Sequence, residues 1–278
     1  MLTIAKLTIA EAARRRVLWV LTALAVIAVG LTAWGVSALV GTARTNGTSD
    51  LEIRIGVAGI LIFIAFMFGF VLVMTAAFFG SPAIATDLES GVAQAMLARP
   101  LRRSSYLLGR WMGLAAVIGV YSVACGALAI AAVGLVSGYF PPDPIRPVLY
   151  LAGQAIVLLT LTVFLSTRLP PIAGGAIAVV AFGLAWMAGV LAKVGLAFGT
   201  TSLVTVGDAI RVLLPTDALW QGVAFGLAPP LSTVDLERLA DSPFFAGAPP
   251  SDAIVAWSAI WVGLVLVLAI NQLRRREL

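Results

Sequence analysis

The chain has 278 residues, of which 61% are hydrophobic and 11% charged, and its mean hydropathy is +1.05. Soluble domains carry about 25% charged residues, so a water-soluble fold is excluded and lipid is the natural solvent. The formal charge is +5, with no histidine, one cysteine (Cys125) and two lysines (Lys6, Lys193), which excludes an internal disulfide, imidazole metal sites and His-dependent catalytic triads.

A helix needs about 20 apolar residues to cross the hydrocarbon core. Six stretches qualify: 17–40, 55–79, 111–136, 148–166, 172–192 and 253–270. The expected fold is therefore an all-α, polytopic membrane protein forming a single transmembrane domain over 1–278. The basic residues of 1–16 precede an apolar run too long for a signal peptide, so it reads as a retained first span.

Residues 2–16 repeat Leu2, Ala5, Ile9 and Ala12 at helical spacing, with Lys6 off that face. They read either as an amino-terminal interfacial helix with Arg14, Arg15 and Arg16 among the headgroups, or as a basic flank that only sets topology. Lys6, these arginines and Arg274, Arg275 and Arg276 are the candidates for inner-leaflet anchoring.

Orientation follows from charge. Six spans place both termini and the loops 80–110 and 167–171 on one side, with twelve basic and four acidic residues, net +8. The opposite side holds six basic and nine acidic residues, net −3. Basic loops stay cytoplasmic, so the termini are expected inside, in a bacterial plasma membrane. This segregation also makes nucleic acid an unnecessary explanation of the net charge.

Residues 81–110 form the longest charged break in the amino-terminal half. Ser81-Pro82 punctuates the end of the second span. Residues 83–98 then read as a short helix with Asp87 and Glu89 in its first half, ended by Arg99-Pro100. Ser104 is the candidate cap of a helix beginning at Ser105 and continuing into the third span.

On the other side, four prolines stiffen loop 137–147. Loop 167–171 makes the fourth and fifth spans a tight hairpin. Gly174, Gly175, Gly183 and Gly189 in the fifth span permit close helix approach, within one chain or between two. The long segment 193–252 predicts short helices over SLVTVGDAIRVLL, DALWQGVAFGLA and, after the capping signal 232–235, LERLA, lying on or dipping into the outer leaflet. Tyr121, Ser122, Gln154, Thr160 and Thr162 are polar groups within the spans, read either as cargo contacts or as hydrogen bonds between packed helices.

No phosphate-binding loop is present, since neither lysine follows the required glycine pattern. The six spans contain essentially no ionisable groups, which disfavours a carrier driven by protons or sodium. Energy for any movement has to come from a partner.

Asp87, Glu89, Ser90, Gly91, Met96, Leu97, Arg99, Pro100, Leu101, Arg103, Leu107, Leu108 and Gly109 resemble the loop between the second and third spans of permease subunits in ABC transporters of the type-2 exporter class. Val92-Ala93 and Arg110 depart from the common Thr-Leu and Lys. The six spans, the long outer segment and the basic tail fit the same family. Leu214-Pro215-Thr216-Asp217 is similar to an element of the nitrous-oxide-reductase maturation permease. The resemblance implies a homodimeric or pseudo-dimeric permease with two separate ABC ATPase subunits, and a cytoplasmic coupling helix between spans two and three. ATP and magnesium would belong to that partner, with no cofactor, catalytic residue or metal in this chain. It further implies that Asp87, Glu89, Ser90, Gly91, Arg99, Pro100, Arg102 and Arg103 meet the ATPase.

Two other readings compete. One is a non-transporting scaffold or mechanotransmitting subunit whose outer segment meets an extracytoplasmic partner. The other is a lipid-modifying enzyme, which the missing intramembrane acids and histidines disfavour.

Overall fold

The computed structural model describes residues 1–14, 16–92, 102–230 and 245–275. Among them are ten helices: α1 (Leu2–Arg14), α2 (Arg16–Thr45), α3 (Asp50–Gly80), α4 (Pro82–Glu89), α5 (Arg103–Ser137), α6 (Ile145–Leu165), α7 (Pro171–Ala197), α8 (Thr201–Leu213), α9 (Thr216–Leu227) and α10 (Asp252–Arg274). Six are long and apolar enough to cross a membrane: α2, α3 together with α4, α5, α6, α7 and α10. The expected all-α class with six such helices is what the chain adopts. Both ends, α4 and the α6–α7 turn share one face, called the basic face below.

α3 begins before its apolar run. Ser49 caps it by accepting from the Glu52 amide, and the Glu52 carboxylate accepts in return from Ser49 N–H at 3.1 Å, a capping box that satisfies two otherwise orphaned donors. α3 ends where Pro82 removes a backbone donor and its ring opposes the preceding turn. The bend is wedged between two neighbours. A Cβ at Gly80 would strike Thr162, and the Ser81 hydroxyl donates to the Pro171 carbonyl. α5 ends at Ser137 because Gly138 adopts φ 76° and returns its N–H to the Gly134 carbonyl at 2.8 Å, a left-handed cap that suits glycine.

α6 is the most enclosed spanning helix, against α3, α5 and α9, while α2 and α10 are the least enclosed. The small residues of the fifth span mostly serve this internal packing. Gly174 and Gly175 lie against Ser81 and Gly189 against Asp217, leaving Gly183 facing open space. The polar span residues do likewise. Tyr121 donates to the Leu21 carbonyl, Ser122 to Ile118, and Thr162 to Leu159 and Ala76, while Thr160 accepts from the Trp111 indole at 3.0 Å.

The helices expected to lie on or dip into the outer leaflet enter the bundle: α8 folds back along α7 and α9 is buried among α6, α3 and α7. The Thr216 carbonyl accepts from Gln154 Nε2 at 3.3 Å, nine residues into α6, or about 14 Å below its outer end at 1.5 Å per residue. At the other end of α9, the Tyr139 hydroxyl donates to the Leu227 carbonyl at 2.8 Å; burial pushes that phenol up to about 12. α8 and α9 thus form a hairpin that enters the bundle and returns. Non-helical backbone survives at such depth only when protein satisfies it. Here Trp257 and Trp261 of α10 donate their indole N–H groups to the Val212 and Leu213 carbonyls at 2.8 and 2.7 Å. The third expected outer helix, with residues 232–235, lies outside the described residues.

α1 packs on the start of α5 through Ala5, Thr8 and Ala12, whereas Leu2 and Ile9 of the expected face stay exposed. The reason is close approach: a Cβ at Gly113 would meet Thr8 Cβ at 2.6 Å and the Ala5 carbonyl at 2.8 Å. A Gly113→Leu substitution is expected to lift α1 off α5. Trypsin cleavage at Lys6 and Arg14 should then accelerate several-fold in mild detergent, and an unchanged rate would show that α1 docks independently of this contact.

Candidate coupling site on the basic face

α4 has two unlike sides. Ala83, Ile84, Ala85 and Asp87 are buried, while Thr86, Glu89 and Ser90 are exposed. The helix stops at Glu89 because Gly91 takes φ 75°, with Ser90 as the C-cap. The expected continuous helix over 83–98 is therefore broken, and its part from 93 onward lies outside the described residues, as do Arg99 and Pro100. The break also places Asp87 and Glu89 in the last turn of α4 rather than its first half. A helix carboxyl end disfavours anions, so Asp87 needs compensation.

α5 supplies it. Spacings of three and four put Arg103, Tyr106 and Arg110 on one face of α5. The Tyr106 hydroxyl donates to Asp87 Oδ2, and Arg110 donates to the same oxygen through Nη2 and, at 3.1 Å, through Nε. Arg110 Nη1 also reaches Glu11 of α1 at 2.6 Å. Arg110 and Asp87 side chains are only 14% and 13% exposed, so this pair works in a lower dielectric than a surface ion pair. One guanidinium thereby ties α1, α4 and α5 together.

Arg103 serves a second junction. Its Nη1 donates to the Leu273 and Arg274 carbonyls at 3.1 and 3.0 Å, satisfying the last turn of α10 and matching its dipole. The Thr167 hydroxyl, from the α6–α7 turn, donates to Gln272 Oε1 at 2.7 Å. α5 begins at Arg103 with Arg102 as its extended N-cap, two residues before the expected Ser104 cap, and Ser104 is already helical.

Of the residues named from sequence, Glu89 and Ser90 are exposed on α4's outer edge and Gly91 ends that helix. Asp87 and Arg103, expected at a partner surface, are turned inward onto Tyr106, Arg110 and the end of α10. Lys6, Arg14, Arg16, Arg274 and Arg275 are exposed on the basic face, and Arg15 and Arg276 lie outside the described residues. Tyr106 and Glu11 were not legible as site residues. The available signal was Glu11 itself, the single acid of the first helix.

The sequence matches the model of the ABC-2 family transporter protein over residues 2–268. The chain belongs to the ABC-2 transporter family. It is thus a multi-pass transmembrane permease subunit of an ABC transporter. No curated protein matches the sequence.

A second polar cluster lies within the ABC-2 bundle on the opposite face. Arg211 Nε donates to Asp217 Oδ2 at 2.8 Å, Gln221 Nε2 donates to the same oxygen at 2.8 Å, and Arg211 Nη1 pairs with Asp208 at 3.1 Å. Burial pushes the Asp217 carboxyl above its ordinary range, opposed by Arg211 and then by Lys193. The six-span reading missed these charges because the α8–α9 hairpin, not a span, brings them in. A cavity of about 710 Å³, open on the face opposite the basic one and bordered by Lys193, Asp208, Arg211, Gln221 and Phe245–Ser251, opens onto them. Among the described residues no three His, Cys, Asp or Glu side chains gather to hold a metal ion.

Proposed function

We propose that the chain is the permease of an ATP-driven exporter, with the basic face cytoplasmic in a bacterial plasma membrane and two copies working with two ATPase subunits. The outer edge of α4 and the Ser90–Gly91 turn are the seat of the ATPase, with Glu89 as the charged contact. The observation that supports this most is the two-sidedness of α4: its inner side is locked to α5 and α1 through Asp87, while its outer edge carries exposed Glu89. A push on that edge moves α1, α4 and the start of α5 together. The exposed basic side chains at both ends then hold the surrounding helices at the headgroups.

The test is capture of the ATP-binding subunit on a tagged permease from native membranes. Glu89→Arg leaves the Asp87 network untouched and is expected to lower the captured ATPase at least ten-fold without changing the permease's elution volume. Undiminished capture with normal ATP hydrolysis would remove α4's edge as the contact.

A second reading, mechanotransmission to an extracytoplasmic partner, draws support from the cavity of about 710 Å³ on the far face. ATP-dependent movement of a solute or lipid in vesicles holding the reconstituted pair favours transport. The likeness of Leu214-Pro215-Thr216-Asp217 to the nitrous-oxide-reductase maturation permease carries no cargo, since those residues have a structural task here: they make the turn of the α8–α9 hairpin.

A further inference from the structure

The outer halves of α6 and α10 stand apart. Lower down the two helices meet in one apolar cluster that includes Val157, Trp261 and Val265. Above that junction a groove of about 530 Å³ runs between them, walled by Leu149 and Ile156 on one side and Val255, Ala259 and Val262 on the other, with Leu219 of α9 at its floor. Ser258 is polar, but its hydroxyl is spent on the Ile254 carbonyl at 2.8 Å. Tyr150 also lines it, so the groove is a mostly apolar channel along the side of the bundle, with one phenol in its wall.

Its length and its mouth identify what fits. From Arg146 to Val157 is eleven residues, about 16 Å along α6, roughly half of a hydrocarbon core about 30 Å thick. That is the depth of one leaflet. Arg146 lines the mouth, in the first turn of α6. Its guanidinium pairs with Asp143 at 3.0 Å, with the two side chains 73% and 46% exposed. Open pairs of this kind are weakly held, whereas an arginine offers a phosphate a planar, bidentate fork.

We propose that this groove is a binding site for one phospholipid of the leaflet opposite the basic face, with its phosphate on Arg146 and an acyl chain lying in the groove against Leu219. The lipid fills the gap between α6 and α10 and closes over Leu219, the α9 side chain at its floor. The assignment to a leaflet follows from the topology proposed above; the binding itself does not depend on which face is cytoplasmic.

The test uses the full chain in mild detergent, washed free of native lipid and then given phosphatidylglycerol at defined ratios, with bound lipid counted by native mass spectrometry. The wild type is expected to retain about one phospholipid per chain. Ala259→Trp, at an exposed position on the wall, fills the groove and should abolish that retention. Arg146→Glu, wholly at the surface, should weaken it at least ten-fold while leaving folding, read by elution volume and circular dichroism, unchanged. Equal retention by the wild type and both variants would overturn the proposal. So would efficient chain-to-chain crosslinking through Ala259→Cys in the membrane, which would make the groove a seam between copies.

Discussion

Arg211→Ala is expected to destabilise the protein by about 3 kcal/mol, the lower end of the range for breaking a buried ion pair by removing one partner. Asp217 is 4% exposed and would be left in the bundle with Gln221 as its remaining hydrogen-bond donor. The nearby Lys193 charge offsets part of the loss, which is why the lower end applies. The measurement is the thermal midpoint in detergent micelles, read by tryptophan fluorescence, since Trp220, Trp257 and Trp261 all lie in or against the hairpin. Adding Asp217→Asn to Arg211→Ala removes the stranded charge and should recover a large part of the midpoint. A double substitution no better than the single one would show that the hairpin is held by packing alone, and the coupling in such a cycle isolates the pair itself.

Asp87→Ala should have a comparable effect at the other face, about 3 kcal/mol. Its removal strands the Tyr106 hydroxyl, which is 1% exposed, and a buried unsatisfied polar group costs about 1–3 kcal/mol. Arg110 keeps Glu11 but loses two of its three hydrogen bonds. The inner side of α4 then rests on the apolar contacts of Ala83, Ile84, Ala85 and Leu88. Hydrogen exchange is expected to rise first in α4 and α1, and Tyr106→Phe added to Asp87→Ala should restore part of the lost midpoint. Asp87→Asn, which keeps an acceptor, should do less harm. If exchange in α1 were unaffected by Asp87→Ala, the link through Arg110 would not carry load.

The sequence made the spans legible because lipid solvation writes itself into composition: twenty apolar residues in a row have few alternatives. The apolar run placed the second span at residue 55; the Ser49–Glu52 capping box that starts α3 at Asp50 was passed over, because it lies outside that run. Segment 193–252 was not legible either. Helices of 13 and 12 residues are too short to cross, and Pro215 separates them, so on sequence alone they belong at a surface. Only the fold shows that half-length suits a hairpin that enters and returns. Asp217 looked like an ordinary first-turn acid, and its burial depends on Gly189, 28 positions earlier, leaving room for its carboxylate. At the basic face, the motif residues drew attention to α4, but which of them point inward is decided by α5. Tyr106 and Arg110 meet Asp87 across 19 and 23 positions, a distance that no local pattern encodes.

α10 is held at its last turn and again through two indoles along its first half. Arg103 grips its last carbonyls, and its two indoles grip the end of α8. A slip of one residue along its axis, about 1.5 Å, would carry both sets of bonds beyond reach together. α10 is thereby barred from sliding. It can swing or turn only as one piece with the beginning of α5 and the tip of the hairpin, so the basic face and that tip, about 18 Å apart over the twelve residues from Trp261 to Leu273, share one axial coordinate.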